Sequence, residues 1–277
     1  MKSFNFYVRY KKLFQRYLNK DSVFIYQMGK VGSTSLEGSI DGAVHVHTFH
    51  ARNHTCPVRL RGMARFGGRY YLNRLKQELV YIVCKCLFKR RRQTKIISLV
   101  REPLSRNISM FFHDIDAYIF SAYTNCLGGG RQLSTREQSS NFLVEVFSSE
   151  FNHEYPVKWF DEELKATTGI DIYDYSFDIN KGYALIQSGK FSLLLLRSDK
   201  LTQNIAIIES FVGREIKLGA KNLARDKWYW EAYQQFIDNY KLSESMSKLL
   251  YDNRFMKHFF SKDEISALKV EGKCEVP

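Results

Sequence analysis

The chain has 277 residues, 44% hydrophobic and 15% aromatic, with a formal net charge of +13. That balance suits one domain spanning residues 1–277 around a large core and excludes a disordered chain. No apolar run approaches a bilayer span, the longest being Leu79 to Cys84. The five cysteines, Cys56, Cys84, Cys86, Cys126 and Cys274, are odd in number and lack the spacing of a disulfide scaffold, so reduced thiols in a cytoplasmic protein are expected.

In chain order, Met1 to Lys20 sets Phe6, Tyr10, Leu13, Phe14 and Tyr17 at helical spacing among basic residues. That is an amphipathic helix rather than the apolar core of a signal peptide. Val23 to Gln27 reads as a strand, and Gln27-Met28-Gly29-Lys30-Val31-Gly32-Ser33-Thr34-Ser35 reads as a loop that opens a helix. Thr34 is expected to cap that helix and Glu37 to complete a capping box, leaving free amides at the loop. Those amides and the helix dipole attract an anion. Lys30 adds a full charge, and Gly29 and Gly32 allow close backbone approach. A nucleoside-triphosphate loop needs four residues between its first glycine and a Gly-Lys-Ser/Thr ending. Here Lys30 follows Gly29 directly and precedes Gly32, so that spacing fails.

Val44 to Phe49 reads as the next strand, with His45 and His47 on one face. Its carboxyl end should open beside the loop, which makes His47 and His50 candidate bases, His47 the favoured one, with Glu37 and His113 in reserve. From His50 to Lys95 there are thirteen lysines and arginines against the single acid Glu78, a net +12 in an inserted segment at about 50–95. Leu72, Leu75, Leu79, Ile82, Val83 and Cys86 form an apolar stripe ending in Lys89-Arg90-Arg91-Arg92. A solvated face, a peripheral membrane contact and a site for an anionic partner all fit this pattern. Nucleic acid ranks below them because no nucleic-acid-binding motif accompanies the patch. A metal reading on His50, His54 and Cys56 lacks a fourth ligand, so no metal is expected.

Lys95 to Val100 reads as a buried strand, followed by Arg101-Glu102-Pro103-Leu104-Ser105-Arg106-Asn107-Ile108-Ser109, where Pro103 suits a first helical turn. Arg101 then ends the strand and Ser109 lies about two turns into the helix. Gly128 to Gly130 reads as a break, and Trp159 to Thr167, Asp199 to Val212, Trp228 to Tyr240 and Glu244 to Phe259 as helices. Tyr183 to Gln187 and Phe191 to Leu196 form a hairpin across Ser188-Gly189-Lys190. The fold class expected is α/β, a P-loop-like central parallel sheet flanked by helices with a helical C-terminal part. Ligands in such sheets bind beyond the carboxyl ends of the strands.

Lys30-Val31-Gly32-Ser33-Thr34 resembles the 5′-phosphosulfate loop of sulfotransferases, with Val31 replacing a hydroxyl residue, and Arg101 with Ser109 matches that superfamily's 3′-phosphate pair. Together with Phe259 to Ile265, these patches look like the bacterial sulfotransferase-like group of capsular polysaccharide synthesis proteins. The Gly-x-x-Gly-x-x-Lys element of many sulfotransferases is not visible, Gly213 to Lys221 being a poor substitute. The resemblance implies 3′-phosphoadenosine 5′-phosphosulfate as donor and a hydroxyl, on a carbohydrate, as acceptor. It implies that Lys30 acts on the bridging oxygen, that Gly32, Ser33, Thr34 and Ser35 hold the 5′-phosphosulfate, and that Arg101 and Ser109 hold the 3′-phosphate. Two alternatives stay open: a nucleoside-triphosphate-dependent phosphotransferase, and a non-catalytic anion- or glycan-binding protein on the same fold.

Overall fold

The computed structural model describes residues 2–49, 56–129, 137–217 and 227–271. In chain order the elements are α1 (Lys2–Leu18), β1 (Val23–Tyr26), α2 (Ser33–Ser39), β2 (Val44–Val46), α3 (Cys56–Phe66), α4 (Arg69–Arg90), β3 (Thr94–Val100), α5 (Pro103–His113), α6 (Ile115–Gly129) and α7 (Glu137–Glu150). There follow α8 (Tyr155–Trp159), a π-helical turn Phe160–Lys165, α9 (Ala166–Thr168), β4 (Tyr183–Ser188), β5 (Phe191–Arg197) and α10 (Ile205–Val212). The chain closes with α11 (Trp230–Asn239), α12 (Glu244–Tyr251), α13 (Arg254–Phe259) and α14 (Lys262–Glu271). They group into two compact units, one of residues 1–52, 71–101 and 158–221, the other of 53–70, 102–157 and 222–277. The basic segment expected at 50–95 is thus divided between them at residue 70.

The first unit is α/β. Its five strands run in the order β2-β1-β3-β5-β4, parallel except for the β4–β5 hairpin, with Ile25 beside Ile97 and Ile97 beside Leu194. Val, Ile and Leu on both faces of β1, β3 and β5 are the pattern of strands buried on both sides. All five strands lie where apolar runs predict them. β2, however, ends at Val46, so His47 to Phe49 leave the sheet. One face carries an aromatic cluster in which Phe24, Tyr26, Phe49, Phe88 and Trp159 meet edge to face or tilted, at 4.9–6.2 Å between centroids.

Several basic residues are structural in this unit. Arg91 donates to the carbonyls of Tyr17, Asn19 and Lys20 at 2.7–2.9 Å and lies 5.1 Å over the Phe24 ring, clamping the end of α1. Lys95 closes α10 by donating to Phe211 O at 2.8 Å. In α4, Cys84 is buried, and burial pushes its thiol up to about 11, whereas Cys86 is exposed.

The second unit is helical. Pro103 opens α5, and Glu102 caps it by accepting from the amides of Leu104 and Ser105 at 2.7 and 2.6 Å and from Tyr251 Oη at 2.9 Å. Phe111, Phe112, Phe147 and Phe236 form its core. The single helix expected from Glu244 to Phe259 is two, because Asn253 caps α13 through Met256 N and breaks the run.

Candidate functional site

Strand β1 delivers the chain to the carboxyl edge of the sheet, and the loop from Gln27 to Gly32 turns it into α2. Gln27 N still bonds Val46 O at 3.0 Å, so the loop starts one residue beyond the strand. Two residues then take left-handed backbone, Lys30 at φ 69 and Gly32 at φ 88. A Cβ on Gly32 would come only within ordinary contact of Ser198 Cβ at 3.9 Å, so it is the dihedral and not crowding that asks for glycine there. For Lys30 that conformation is strained by about 1–2 kcal/mol, and an L-residue held there is a signature of functional turns. What holds it includes Arg101, whose Nη1 donates to Lys30 O at 3.0 Å from the end of β3, the neighbouring strand. The sequence pairs Arg101 with Ser109. The structure brings Arg101 to the backbone of Lys30, and Ser109 is a half-buried residue of α5 in the helical unit.

The expected capping box does not form. The cap position of α2 is Gly32, which has no side chain to offer, so Thr34 lies inside the first turn and not at the cap. The side chains of Ser33, Thr34 and Ser35 lie outside the described residues. Glu37 instead accepts from His45 Nδ1 at 2.9 Å. At the start of the loop Gln27 is fully buried, and neither its Oε1 nor its Nε2 has a hydrogen-bond partner among the described residues.

Beside the loop, the exposed His47 donates from Nδ1 to Gln27 O at 3.2 Å, which leaves the ring's lone pair on Nε2, the tautomer a proton acceptor needs. Its ring lies 4.3 Å from that of His45, whose own Nδ1 is engaged by Glu37. His47 is thus oriented from the loop it adjoins. His50 and His54 lie outside the described residues, as does the side chain of Cys56. His113 is an exposed residue at the end of α5.

Nothing in the residue pattern points to what fixes the His47 segment. Glu163, 1% exposed in the π-helical turn, accepts from Tyr26 Oη at 2.5 Å, from Thr48 Oγ1 at 2.8 Å and from the amide of Phe49. Trp159 Nε1 donates to His47 O at 3.3 Å. Apolar periodicity detects the helix but not the extra residue of a π turn, and such turns concentrate at working sites. Arg197, a buried cation at the end of β5, is neutralised by Asp199 through two bonds of 3.1 and 2.7 Å. Chemically, the arrangement supplies a strained basic turn for an anion with an oriented imidazole beside it.

A family model described as "Putative capsular polysaccharide synthesis protein" matches residues 134–261, somewhat under half of the chain. The Gln27-to-Ser35 loop and the Arg101-to-Ser109 segment fall outside that match, and the Phe259-to-Ile265 patch overlaps its end. No curated protein and no solved structure matches the chain.

Proposed function

We propose that this chain transfers a sulfuryl group from 3′-phosphoadenosine 5′-phosphosulfate to a hydroxyl, with a carbohydrate as acceptor. The observation that carries the reading is the strained Lys30 turn held through its carbonyl by Arg101 at the carboxyl edges of two adjacent parallel strands. A turn with left-handed residues lets successive backbone amides converge on an anion, and the side chains of Lys30 and Arg101 are both cationic. The similarity to capsular polysaccharide synthesis proteins suits a glycan acceptor.

In this reading the donor supplies the sulfuryl group and the 5′-phosphate leaving group. The acceptor oxygen bonds to sulfur as the bond from sulfur to the bridging oxygen breaks, and the acceptor proton passes to His47 Nε2. Lys30 opposes the charge that grows on the bridging oxygen, an interaction strongest in the transition state. Gly32 leaves room at the turn, and Ser33, Thr34 and Ser35 follow it with their backbone amides. Arg101 and Ser109 are assigned to the 3′-phosphate. No step requires a metal.

Calorimetric titration tests the nucleotide assignment without the acceptor. Adenosine 3′,5′-bisphosphate should bind at least about tenfold more tightly than adenosine 5′-monophosphate, and Arg101→Ala should remove most of that preference, as loss of a charge-assisted bond implies. Equal affinity for the two nucleotides, or tighter binding of ATP, would overturn it.

A further inference from the structure

Helix α4 is apolar on two sides, and its own core covers one. Cys84 and Phe88 turn inward, Phe88 meeting Phe24, Phe49 and Phe191. On the other side Leu72, Leu75, Leu79, Ile82 and Val83 are 42–61% exposed, and Cys86 is exposed with them. At 3.6 residues per turn these six positions fall within about 100° of arc along roughly 20 Å of helix. A solvated face would place charge on that arc; a contiguous apolar one marks a contact surface.

Charge names the partner. Arg69 precedes the stripe, Lys89, Arg90 and Arg92 follow it, and all four are exposed. The one acid of the helix, Glu78, is paired with Arg74 at 3.0 Å. A second copy of the chain would meet this surface with the same basic rim and be repelled. An anionic bilayer satisfies both features, taking the leucines below its head groups and the basic residues among them. The helix carries too much charge to cross, and no helix among the described residues is long and apolar enough to do so.

The helix also has a direction. Phe88 lies against Phe191 at the amino end of β5, while Lys85 donates to Phe49 O at 3.4 Å past the carboxyl end of β2. Residues preceding Lys85 therefore run on beyond the carboxyl edge of the sheet, the edge that carries the Lys30 turn and His47. We propose that the Leu72-to-Cys86 stripe of α4 docks on an anionic membrane surface and holds that edge of the sheet toward the lipid head groups. The proposal rests on no part of the nucleotide reading.

Co-sedimentation of the full chain with vesicles tests it. Binding is expected to phosphatidylglycerol–phosphatidylcholine vesicles and not to phosphatidylcholine alone, and it should weaken as salt rises. Leu75→Asp with Leu79→Asp, and separately Lys89→Glu with Arg90→Glu, should each weaken it at least tenfold. Because these positions are exposed, both variants should keep the parent melting temperature, which controls for folding. Equal binding to neutral vesicles, or binding unchanged in either variant, overturns the proposal. So does a dimer in sedimentation velocity that the leucine variant dissociates while vesicles are ignored. Duplex DNA binding lost in the charge variant and kept in the leucine variant would reassign the surface to nucleic acid.

Discussion

Tyr26 and Gln27 are consecutive residues at the carboxyl end of β1, both fully buried, and they sit in opposite hydrogen-bonding conditions. Tyr26 Oη reaches Glu163 at 2.5 Å and Thr167 Oγ1 at 2.9 Å, inside a network that also takes in Thr48 and Phe49. Gln27 has no partner among the described residues for either end of its amide. Successive residues of an extended chain point to opposite faces, so one step along β1 passes from a face whose polar groups are satisfied to one where they are not. The satisfied face fixes the His47 segment from behind. Gln27 itself opens the loop that carries the Lys30 turn, and an orphaned buried amide is the kind of group that calls for a ligand or a strain account. Satisfied and unmet hydrogen bonds are thus divided between two sides of one strand.

The largest expected effect removes the satisfied side. Glu163→Ala would take the carboxylate away from Thr48 Oγ1 and the Phe49 amide, while Tyr26 Oη keeps Thr167 Oγ1 at 2.9 Å and Glu163 O at 3.3 Å. At roughly 1–3 kcal/mol for each of those two groups, at least about 2 kcal/mol of stability should go, lowering the melting temperature by about 4 °C or more. Glu163→Gln keeps the shape and one acceptor oxygen and should lose about half as much. Thermal unfolding of both variants decides it, and a loss under about 1 kcal/mol for Glu163→Ala would break the contrast with Gln27.

On the other side, Lys30 separates backbone from charge. Lys30→Gly relieves the left-handed strain at φ 69 and should leave stability equal or up to about 1 kcal/mol higher. Loss of the cation should at the same time lower sulfuryl transfer about 10²- to 10³-fold while product nucleotide binds within a few fold of the parent. Turnover within a few fold would remove Lys30 from the chemistry. A marked loss of stability instead would mean that the side chain is part of the scaffold, like Tyr26.

The division between the two sides also tracks what the sequence discloses. Strands β1 to β5 are legible because runs such as Val23–Tyr26 and Phe191–Arg197 are apolar on both faces, and the Ser188-Gly189-Lys190 turn announces a hairpin. The Lys30 turn is legible from its glycines. Glu163 is not, because its partners Tyr26 and Thr48 lie more than a hundred residues away and come together only when the sheet forms. Glu37 misleads because its spacing from Thr34 imitates a capping box, while the helix is capped two residues earlier at Gly32 and the Glu37 carboxylate goes to His45. Arg91 reads as one of a charge run, yet it is the clamp on α1.

A smaller effect is expected at Gln27 itself. An apolar residue of similar volume relieves the amide of its unmet hydrogen bonds, so Gln27→Met should raise stability by about 1 kcal/mol, where the same kind of change at a satisfied residue would lower it. Chemical denaturation of parent and variant measures this. Loss of adenosine 3′,5′-bisphosphate affinity in the more stable variant would sharpen the contrast, since stability gained against binding lost is what an amide kept for a ligand would show. A destabilised variant would mean that the amide is satisfied in solution.

The smallest effect lies in the helical unit, where His153 combines both conditions in one ring. Its Nε2 donates to Phe147 O at 2.7 Å, while its buried Nδ1 has no partner among the described residues. Burial pushes its pKa below the ordinary histidine value, the carbonyl bond opposing only in part, so the folded chain holds it neutral. At neutral and higher pH both folded and unfolded chains carry the neutral ring and the residue contributes no pH dependence. Below about 6.5 the unfolded chain takes up the proton that the folded chain refuses, so stability falls with pH until the lowered folded pKa is passed. His153→Gln keeps a donor for Phe147 O and cannot titrate. Melting temperatures from pH 8 down to 5 should therefore decline less steeply in the variant than in the parent, and parallel curves would show that the ring is already protonated, or solvated, in the folded chain.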